Sequence, residues 1–225
     1  MPHRLPPVTK ALLIADTVVF VLQLLLPAPL LAPLQLRPFV AAAPLDPLVS
    51  FMPWQLVTHA FMHADPLHIV LNMLAVFMFG TQLEFHYGAR RYLQLYAISV
   101  LGAGICQLLV STVVLQQGGP FYTTLGASGG VFGLLVAYGM TFPNQRVSLV
   151  LPPVTMKART MVLLFIAVQL VFAIGQVKTN EAHFAHLGGA LFGWLVVRTW
   201  RGQPPFGRGP KAPPPRRRDH LRIVP

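Results

Sequence analysis

The chain has 225 residues, of which 54% are hydrophobic and only 10% are charged. Soluble globular domains carry about 25% charged residues, so this composition excludes an ordinary soluble domain. A net charge of +11 would suggest nucleic-acid binding in a soluble protein, but here we read the charge as a topology signal and expect no nucleic-acid partner. The single cysteine, Cys106, excludes an internal disulfide.

Apolar blocks along the chain predict six membrane-spanning helices, since roughly 20 apolar residues cross a bilayer. Arg4 and Lys10 precede the first block in the order of a signal peptide. No small-residue cleavage site follows closely, so we interpret that block as a retained helix. We predict an all-α membrane protein with one domain over residues 1–200, whose blocks are 9–27, 67–84, 91–115, 128–142, 159–177 and 184–200.

The basic residues are distributed unevenly between the two sides of this arrangement. When alternate loops are assigned to opposite sides, 15 of the 17 basic residues fall on one side. Only Arg37 and Lys178 fall on the other. The positive-inside rule then places both termini in the cytoplasm.

The loop over residues 28–66 contains seven prolines, which disfavour long helices, together with several aromatic residues. We expect it to lie in the membrane interface with Trp54 as an anchor. The alternative is a disordered loop, against which its apolar content argues.

The fourth block is the shortest. From Ser128 to Met140 there are 13 residues, which span ~20 Å of helix, whereas a bilayer core is ~30 Å thick. We therefore expect Ser128 to lie below the external surface and residues 116–127 to form a re-entrant approach to the fourth helix. Non-helical backbone at that depth requires protein or water around it, so an internal aqueous cavity is predicted.

Residues 201–225 are rich in proline and arginine and predict a disordered cytoplasmic tail. Two roles are open for this tail. We favour fixation of the topology, and the alternative is binding of anionic lipid headgroups.

A serine and a histidine lie beside small residues on two of the predicted helices. Small residues four apart let membrane helices approach closely. Packing these faces together would bring Ser128 near His186, where a neutral imidazole can take the proton of an attacking hydroxyl. The alternative is plain helix packing with a hydrogen-bonded histidine. The small residues are Gly129 and Gly133 on the fourth helix and Gly189 and Gly193 on the sixth.

An acyl-transfer site also needs donors for the developing oxyanion. The start of the fourth helix offers backbone N–H groups, including that of Ser128. His68 and Asn72 are four apart, share one helix face and carry side-chain donors. The alternative for these two is an interhelical hydrogen-bond pair.

The remaining histidines raise the question of a metal site. His59 and His63 are four apart, a spacing used in zinc sites. No His-Glu-x-x-His pattern occurs and carboxylates are few, so we predict neither a metal nor a cofactor. We expect His59 and His63 to hydrogen-bond the first loop to the bundle, and His183 to lie on the external surface.

Three separated motifs resemble those of the rhomboid intramembrane serine proteases, of the bacterial six-helix type, over roughly residues 50–196. They are the His-x-x-x-x-His-x-x-x-Asn run at His63, His68 and Asn72, the Gly-Ala-Ser-Gly at 126–129, and the Ala-His-x-x-Gly-x-x-x-Gly at 185–193.

The resemblance implies Ser128 as nucleophile and His186 as general base, in a dyad without a carboxylate. It implies an oxyanion hole formed by His68, Asn72 and the Ser128 N–H. Phe132 matches an aromatic residue that packs on the catalytic histidine, Glu84 matches an acidic residue that holds helices and loops together, and residues 177–183 match a capping loop. Two departures are Gln55, where members often carry arginine, and Glu181, where many carry glycine.

Together these features predict a six-helix rhomboid-like serine protease that cleaves transmembrane segments of other proteins. Its expected partners are such substrates and membrane lipids, its expected location is a bacterial inner membrane, and its oligomeric state is left open. Two rivals remain: a catalytically silent rhomboid-like protein that binds membrane clients, and a small transporter or proton path through intramembrane polar residues.

Overall fold

Six long helices form the framework of the chain. The computed structural model describes residues 4–149, 153–175 and 182–203. The helices are α1 (Pro7–Leu25), α2 (Pro66–Tyr87), α3 (Ala89–Gln116), α4 (Ser128–Thr141), α5 (Ala158–Ile174) and α6 (His183–Trp200). Their predominance confirms the predicted helical class, and they coincide with the six predicted blocks apart from shifts of a few residues at their ends.

Three helices, α1, α2 and α3, are long and apolar enough to cross a membrane by length and composition, while α4 and α5 are shorter apolar helices. α2 contains a π-helical turn over Val76–Gly80, between α-helical segments. Such turns occur mostly as single insertions in α-helices. At Gly80 the absence of a Cβ makes room for the Tyr92 hydroxyl of α3.

The α4 helix lies at the centre of the bundle. All residues from Gly133 to Gly139 are buried, as expected for a helix that is apolar on every side. Gly130 faces Tyr96 and Val100 of α3, where a Cβ would lie 2.9 Å from a Val100 methyl group. Small residues therefore bring α3 and α4 into close contact, and the serine at the start of α4 is held by a fully packed helix.

Glu84, on α2, caps the first turn of α1. Its Oε1 accepts a hydrogen bond from the Val8 N–H at 2.9 Å, and its Oε2 accepts from the Thr9 N–H at 2.7 Å and the Thr9 hydroxyl at 2.8 Å. A carboxylate at a helix N-terminus satisfies free N–H groups and complements the helix dipole. The expectation that Glu84 holds elements together is confirmed, with α1 as its partner.

The loop between α1 and α2 is built from short helical turns, namely Ala28–Leu31, Ala32–Leu34, Gln55–Thr58 and His59–Phe61. The prediction that its prolines prevent long helices is confirmed. Trp54 is exposed, and its indole N–H donates to the Pro33 carbonyl at 3.1 Å. The interfacial position of this loop stays a prediction.

Gln55 is the organising residue of this loop. Its side chain is buried, and its Oε1 accepts from the backbone N–H groups of Arg37 at 3.2 Å and Met52 at 3.3 Å. Its Nε2 donates to the carbonyls of Pro33 at 3.0 Å and Pro47 at 3.4 Å. The loop is thus held by a neutral amide at the position where the family resemblance suggested an arginine.

The approach to α4 is non-helical, as predicted, and is hydrogen-bonded to the first loop. Leu36 and Thr124 exchange backbone hydrogen bonds of 2.9 and 2.8 Å, and the Gly126 N–H donates to the His59 carbonyl at 2.9 Å. These bonds satisfy backbone groups that irregular structure would otherwise leave unpaired. The depth of the segment in a membrane stays a prediction.

A two-stranded hairpin between α4 and α5 was not anticipated. β1 (Arg146–Ser148) pairs antiparallel with β2 (Thr155–Lys157), and Val147 lies opposite Met156. The tail predicted over residues 201–225 lies outside the described residues from 204 onward, as does most of the predicted capping loop with Glu181.

Candidate active site

Ser128 is the first residue of α4, directly after a sharp change in backbone direction. Gly126 has a φ of 129°, a conformation that strongly favours glycine, and Ala127 is fully buried. The first intrahelical bond runs from the Val131 N–H to the Ala127 carbonyl at 3.0 Å. The N–H groups of residues 128–130 therefore have no partner within the helix, and they are directed at the space before it.

The structure brings Ser128 and His186 into hydrogen-bond contact. Ser128 Oγ lies 2.8 Å from His186 Nε2, although 58 residues separate the two in sequence. The imidazole of His186 is buried, and Phe132 stacks on it with ring centroids 4.5 Å apart and an interplanar angle of 10°. A hydroxyl is thus aligned with an imidazole whose orientation is restricted by an aromatic face.

Glycines on α4 and α6 make this contact possible. A Cβ on Gly189 would overlap the backbone of Gly129, and a Cβ on Gly193 would lie 2.6 Å from the Gly133 Cα. The two helix backbones therefore touch, as the small-residue spacing predicted.

His68 lies next to Ser128 on the other side of Gly126. A Cβ on Gly126 would be 2.8 Å from His68 Nε2 and 3.6 Å from Ser128 Oγ. The Nδ1 atom of His68 accepts from the Ala64 N–H at 3.3 Å, which in a neutral ring leaves the hydrogen on Nε2. The edge of His68 that faces the serine is therefore a donor.

Asn72 follows one turn later and is buried. Its Nδ2 donates to the His68 carbonyl at 2.9 Å, within its own helix. An amide nitrogen carries two hydrogens, so this bond fixes the side chain and leaves the second hydrogen for another acceptor.

The two loop histidines attach the loop to the bundle, but mainly through backbone groups. The His63 N–H donates to Gln23 Oε1 on α1 at 2.9 Å, and Gln23 Nε2 donates to the His63 carbonyl at 3.0 Å. The His59 carbonyl accepts from the Gly126 N–H, and Nδ1 of the His59 ring donates to the Gln55 carbonyl at 2.7 Å. Burial lowers the pKa of His59 to about 4, so its ring is neutral at physiological pH.

A buried acidic side chain lies next to His63. Asp16 of α1 is fully buried, and its Oδ1 lies 4.0 Å from His63 Nδ1. The ring of His63 packs edge-on against His68, with centroids 5.1 Å apart.

Among the described residues, no group of three or more His, Cys, Asp or Glu side chains is arranged to hold a metal ion.

The prediction for His183 is wrong, and the sequence analysis missed its partner. His183 is buried, and its Nδ1 donates to Gln169 Oε1 of α5 at 2.6 Å. The same oxygen lies 3.0 Å from His186 Nδ1. A glutamine inside an apolar helix of a membrane protein is costly, and this signal would have singled it out.

Comparison with known proteins places the chain in a family. The model of the Rhomboid domain matches residues 50–202. Presenilin-associated rhomboid-like protein A, mitochondrial, of Danio rerio is 30% identical over 67% of this chain and 40% of its own length. RHOMBOID-like protein 6, mitochondrial, of Arabidopsis thaliana is 32% identical over 68% of this chain and 46% of its own length. Rhomboid-like protease 3 of Toxoplasma gondii is 29% identical over 66% and 52%.

The chain therefore belongs to the rhomboid family of membrane proteins, as the three motifs indicated. It spans about half the length of these relatives, or less.

The contact between α4 and α6 gives a first prediction. Gly189→Ala should lower the free energy of unfolding in detergent by about 1–3 kcal/mol, because overpacking forces the two backbones apart. Leu191→Ala is the matched control, since Leu191 lies on the same helix but is exposed. Equal thermal unfolding midpoints for Gly189→Ala and the wild type would contradict backbone contact at this position.

Proposed function

We propose that this protein is an intramembrane serine protease that hydrolyses peptide bonds in or near transmembrane segments of membrane proteins. The observation that carries the proposal is the 2.8 Å contact between Ser128 Oγ and His186 Nε2, with Phe132 stacked on the imidazole. A nucleophile within hydrogen-bond reach of an oriented base is the signature of covalent acyl transfer. Membership of the rhomboid family, which includes a relative named as a protease, supports it.

In the proposed mechanism, Ser128 Oγ attacks the scissile carbonyl while its proton passes to His186 Nε2. The imidazolium then donates that proton to the leaving amine, which leaves an acyl-enzyme on Ser128. Water, deprotonated by His186, hydrolyses the ester and restores both groups.

The oxyanion would be held by His68 Nε2–H, the Ser128 N–H and the second hydrogen of Asn72 Nδ2. The position of His68 beside Ser128 and the acceptor role of its Nδ1 support this assignment for the first donor. The start of α4 supplies the second. Asn72 is proposed from its place on the same helix, one turn from His68.

The substrate would be a transmembrane segment with small or helix-breaking residues near the external face. Only an unwound peptide exposes its carbonyl, since a helix engages each carbonyl in its own hydrogen bonds. The other partner is the lipid around the bundle, to which exposed apolar side chains such as Leu24, Leu163 and Val171 are suited.

The dyad gives the second prediction. Ser128→Ala and His186→Ala should each abolish cleavage of a model transmembrane substrate by purified protein and labelling by a fluorophosphonate, while unfolding midpoints stay close to the wild type. The double variant should be no worse than either single one, because the two residues act as a unit.

The rival functions give different results in these assays. Full cleavage by Ser128→Ala would end the protease proposal. An unreactive wild-type serine would favour a silent client-binding protein, and ion or solute flux without covalent labelling would favour a transporter.

Asn72 gives the third prediction. Asn72→Ala should lower kcat by about tenfold to a hundredfold with a smaller change in KM, because the donor strengthens chiefly as the oxyanion forms. An altered KM at an unchanged kcat would instead assign Asn72 to packing or substrate contact.

We also propose that all six helices span the membrane with both termini in the cytoplasm, and that residues 116–127 enter from the external side. The one-sided distribution of basic residues supports the orientation. The resemblance to the bacterial six-helix type suggests a bacterial inner membrane, whereas two of the relatives above carry mitochondrial names.

Topology gives the fourth prediction. Reporter fusions after Arg201 should read as cytoplasmic and fusions within residues 116–124 as external. An external reading after Arg201 would contradict the six-span count.

A further inference from the structure

Gln169 is the buried polar residue on α5 that touches the site from the side opposite Ser128. Its side chain is buried within an otherwise apolar helix. Burying an amide is costly unless it is hydrogen-bonded. Its oxygen lies within hydrogen-bond distance of two histidine nitrogens, His186 Nδ1 at 3.0 Å and His183 Nδ1 at 2.6 Å.

The protonation of His186 decides whether it can act as a base. A neutral imidazole carries one hydrogen, on either Nδ1 or Nε2. To accept the proton of Ser128 through Nε2, the ring must hold its hydrogen on Nδ1. Because a carbonyl oxygen only accepts hydrogen bonds, Gln169 Oε1 next to Nδ1 stabilises that tautomer.

His183 strengthens the same arrangement by donating to the same oxygen. One carbonyl oxygen has two lone pairs and accepts from both rings. If the amide were turned round, its NH₂ group would face both Nδ1 atoms, and His186 would then direct an N–H at Ser128. As long as His183 carries its hydrogen on Nδ1, its hydrogen bond to Oε1 opposes that rotation. Phe172 packs against the His183 ring at 5.4 Å between centroids and restricts its position.

We propose that Gln169 is a positioning residue that holds His186 in the Nδ1–H tautomer, with His183 fixing the orientation of the Gln169 amide. This inference rests on the proposed protease function. During attack the serine proton moves to His186 Nε2. The Nδ1–H group stays hydrogen-bonded to Gln169 Oε1, and the Gln169 amide remains neutral. A neutral acceptor does the orienting work of a carboxylate without placing a charge in the membrane.

The alternative is that Gln169 only joins α5 to α6, as polar side chains in membrane helices often do. A matched control separates the two roles. Gln82 Oε1 also accepts from two donors, Tyr138 Oη at 3.3 Å and Gln145 Nε2 at 3.1 Å. Tyr138 lies ten residues beyond Ser128 on α4, or about 15 Å along the helix. Gln82→Leu thus removes another double acceptor, on an exposed side chain, away from the dyad.

The first experiment measures kcat, KM and the rate of fluorophosphonate labelling. Gln169→Leu should lower kcat and the labelling rate about tenfold to a hundredfold while KM changes less than about twofold. A fixed wrong tautomer costs about 10⁴-fold in soluble serine proteases, and the loss should be smaller here because an unrestrained ring still samples both forms. Gln169→Glu, which keeps an acceptor oxygen, should recover most of the rate, and Gln82→Leu should retain it.

The second experiment reads the tautomer directly and needs no active variant. ¹⁵N NMR of protein labelled at histidine, with His186→Asn used to assign the resonance, should report hydrogen on Nδ1 in the wild type. An Nε2–H form of His186 in the wild type would overturn the inference even if Gln169→Leu failed to fold. Unchanged kcat and labelling in folded Gln169→Leu would overturn it as well.

The two proposals fail in different ways. If the wild type neither cleaves nor labels, the protease function fails while the tautomer measurement still tests the contact. If the wild type is active and Gln169→Leu matches it, only the role of Gln169 is lost.

Discussion

The geometry of this protein depends on the backbone contact between α4 and α6. At the Gly129–Gly189 and Gly133–Gly193 positions the two helices approach so closely that a Cβ on either α6 glycine would collide with the α4 backbone, whereas a Cβ on either α4 glycine would first meet α3. This close approach lets the short side chain of Ser128 reach His186 Nε2 at 2.8 Å. In lipid there is little hydrophobic drive for helices to associate, so close van der Waals packing supplies the attraction.

The elements around this contact restrict what the side chains can do. Phe132 confines one face of His186, Gln169 contacts its far nitrogen, and Gly126 admits the ring of His68 beside Ser128. The first loop contributes through the backbone, since the His59 carbonyl holds the Gly126 N–H. The site is therefore assembled from α2, α4, α5, α6 and the first loop, which are distant in sequence.

Much of this arrangement could be predicted from the sequence, because it follows from local patterns. The apolar blocks predict the helices, and glycines four residues apart predict the helix faces that pack together. Ser128 and His186 lie at matching positions along these two helices, so their contact could be predicted. The burial of His183 could not be found in that way, since the side of α6 that it occupies is covered only once α5 packs there. Gln169 belongs to no motif, and its partners lie 14 and 17 residues away. The hairpin was missed because its strands have three residues each, too short for a periodic signal.

The cap that Glu84 places on α1 has a consequence for assembly. α1 precedes α2 in the chain, yet the acceptors for its Val8 and Thr9 N–H groups lie 75 or more residues later. While the nascent chain is shorter than this, water or headgroups must satisfy those amides, which keeps the start of α1 near the membrane surface. Once α2 is in place, the carboxylate replaces that solvation and α1 can settle against the bundle. Complete capping of α1 therefore requires that α2 has been synthesised.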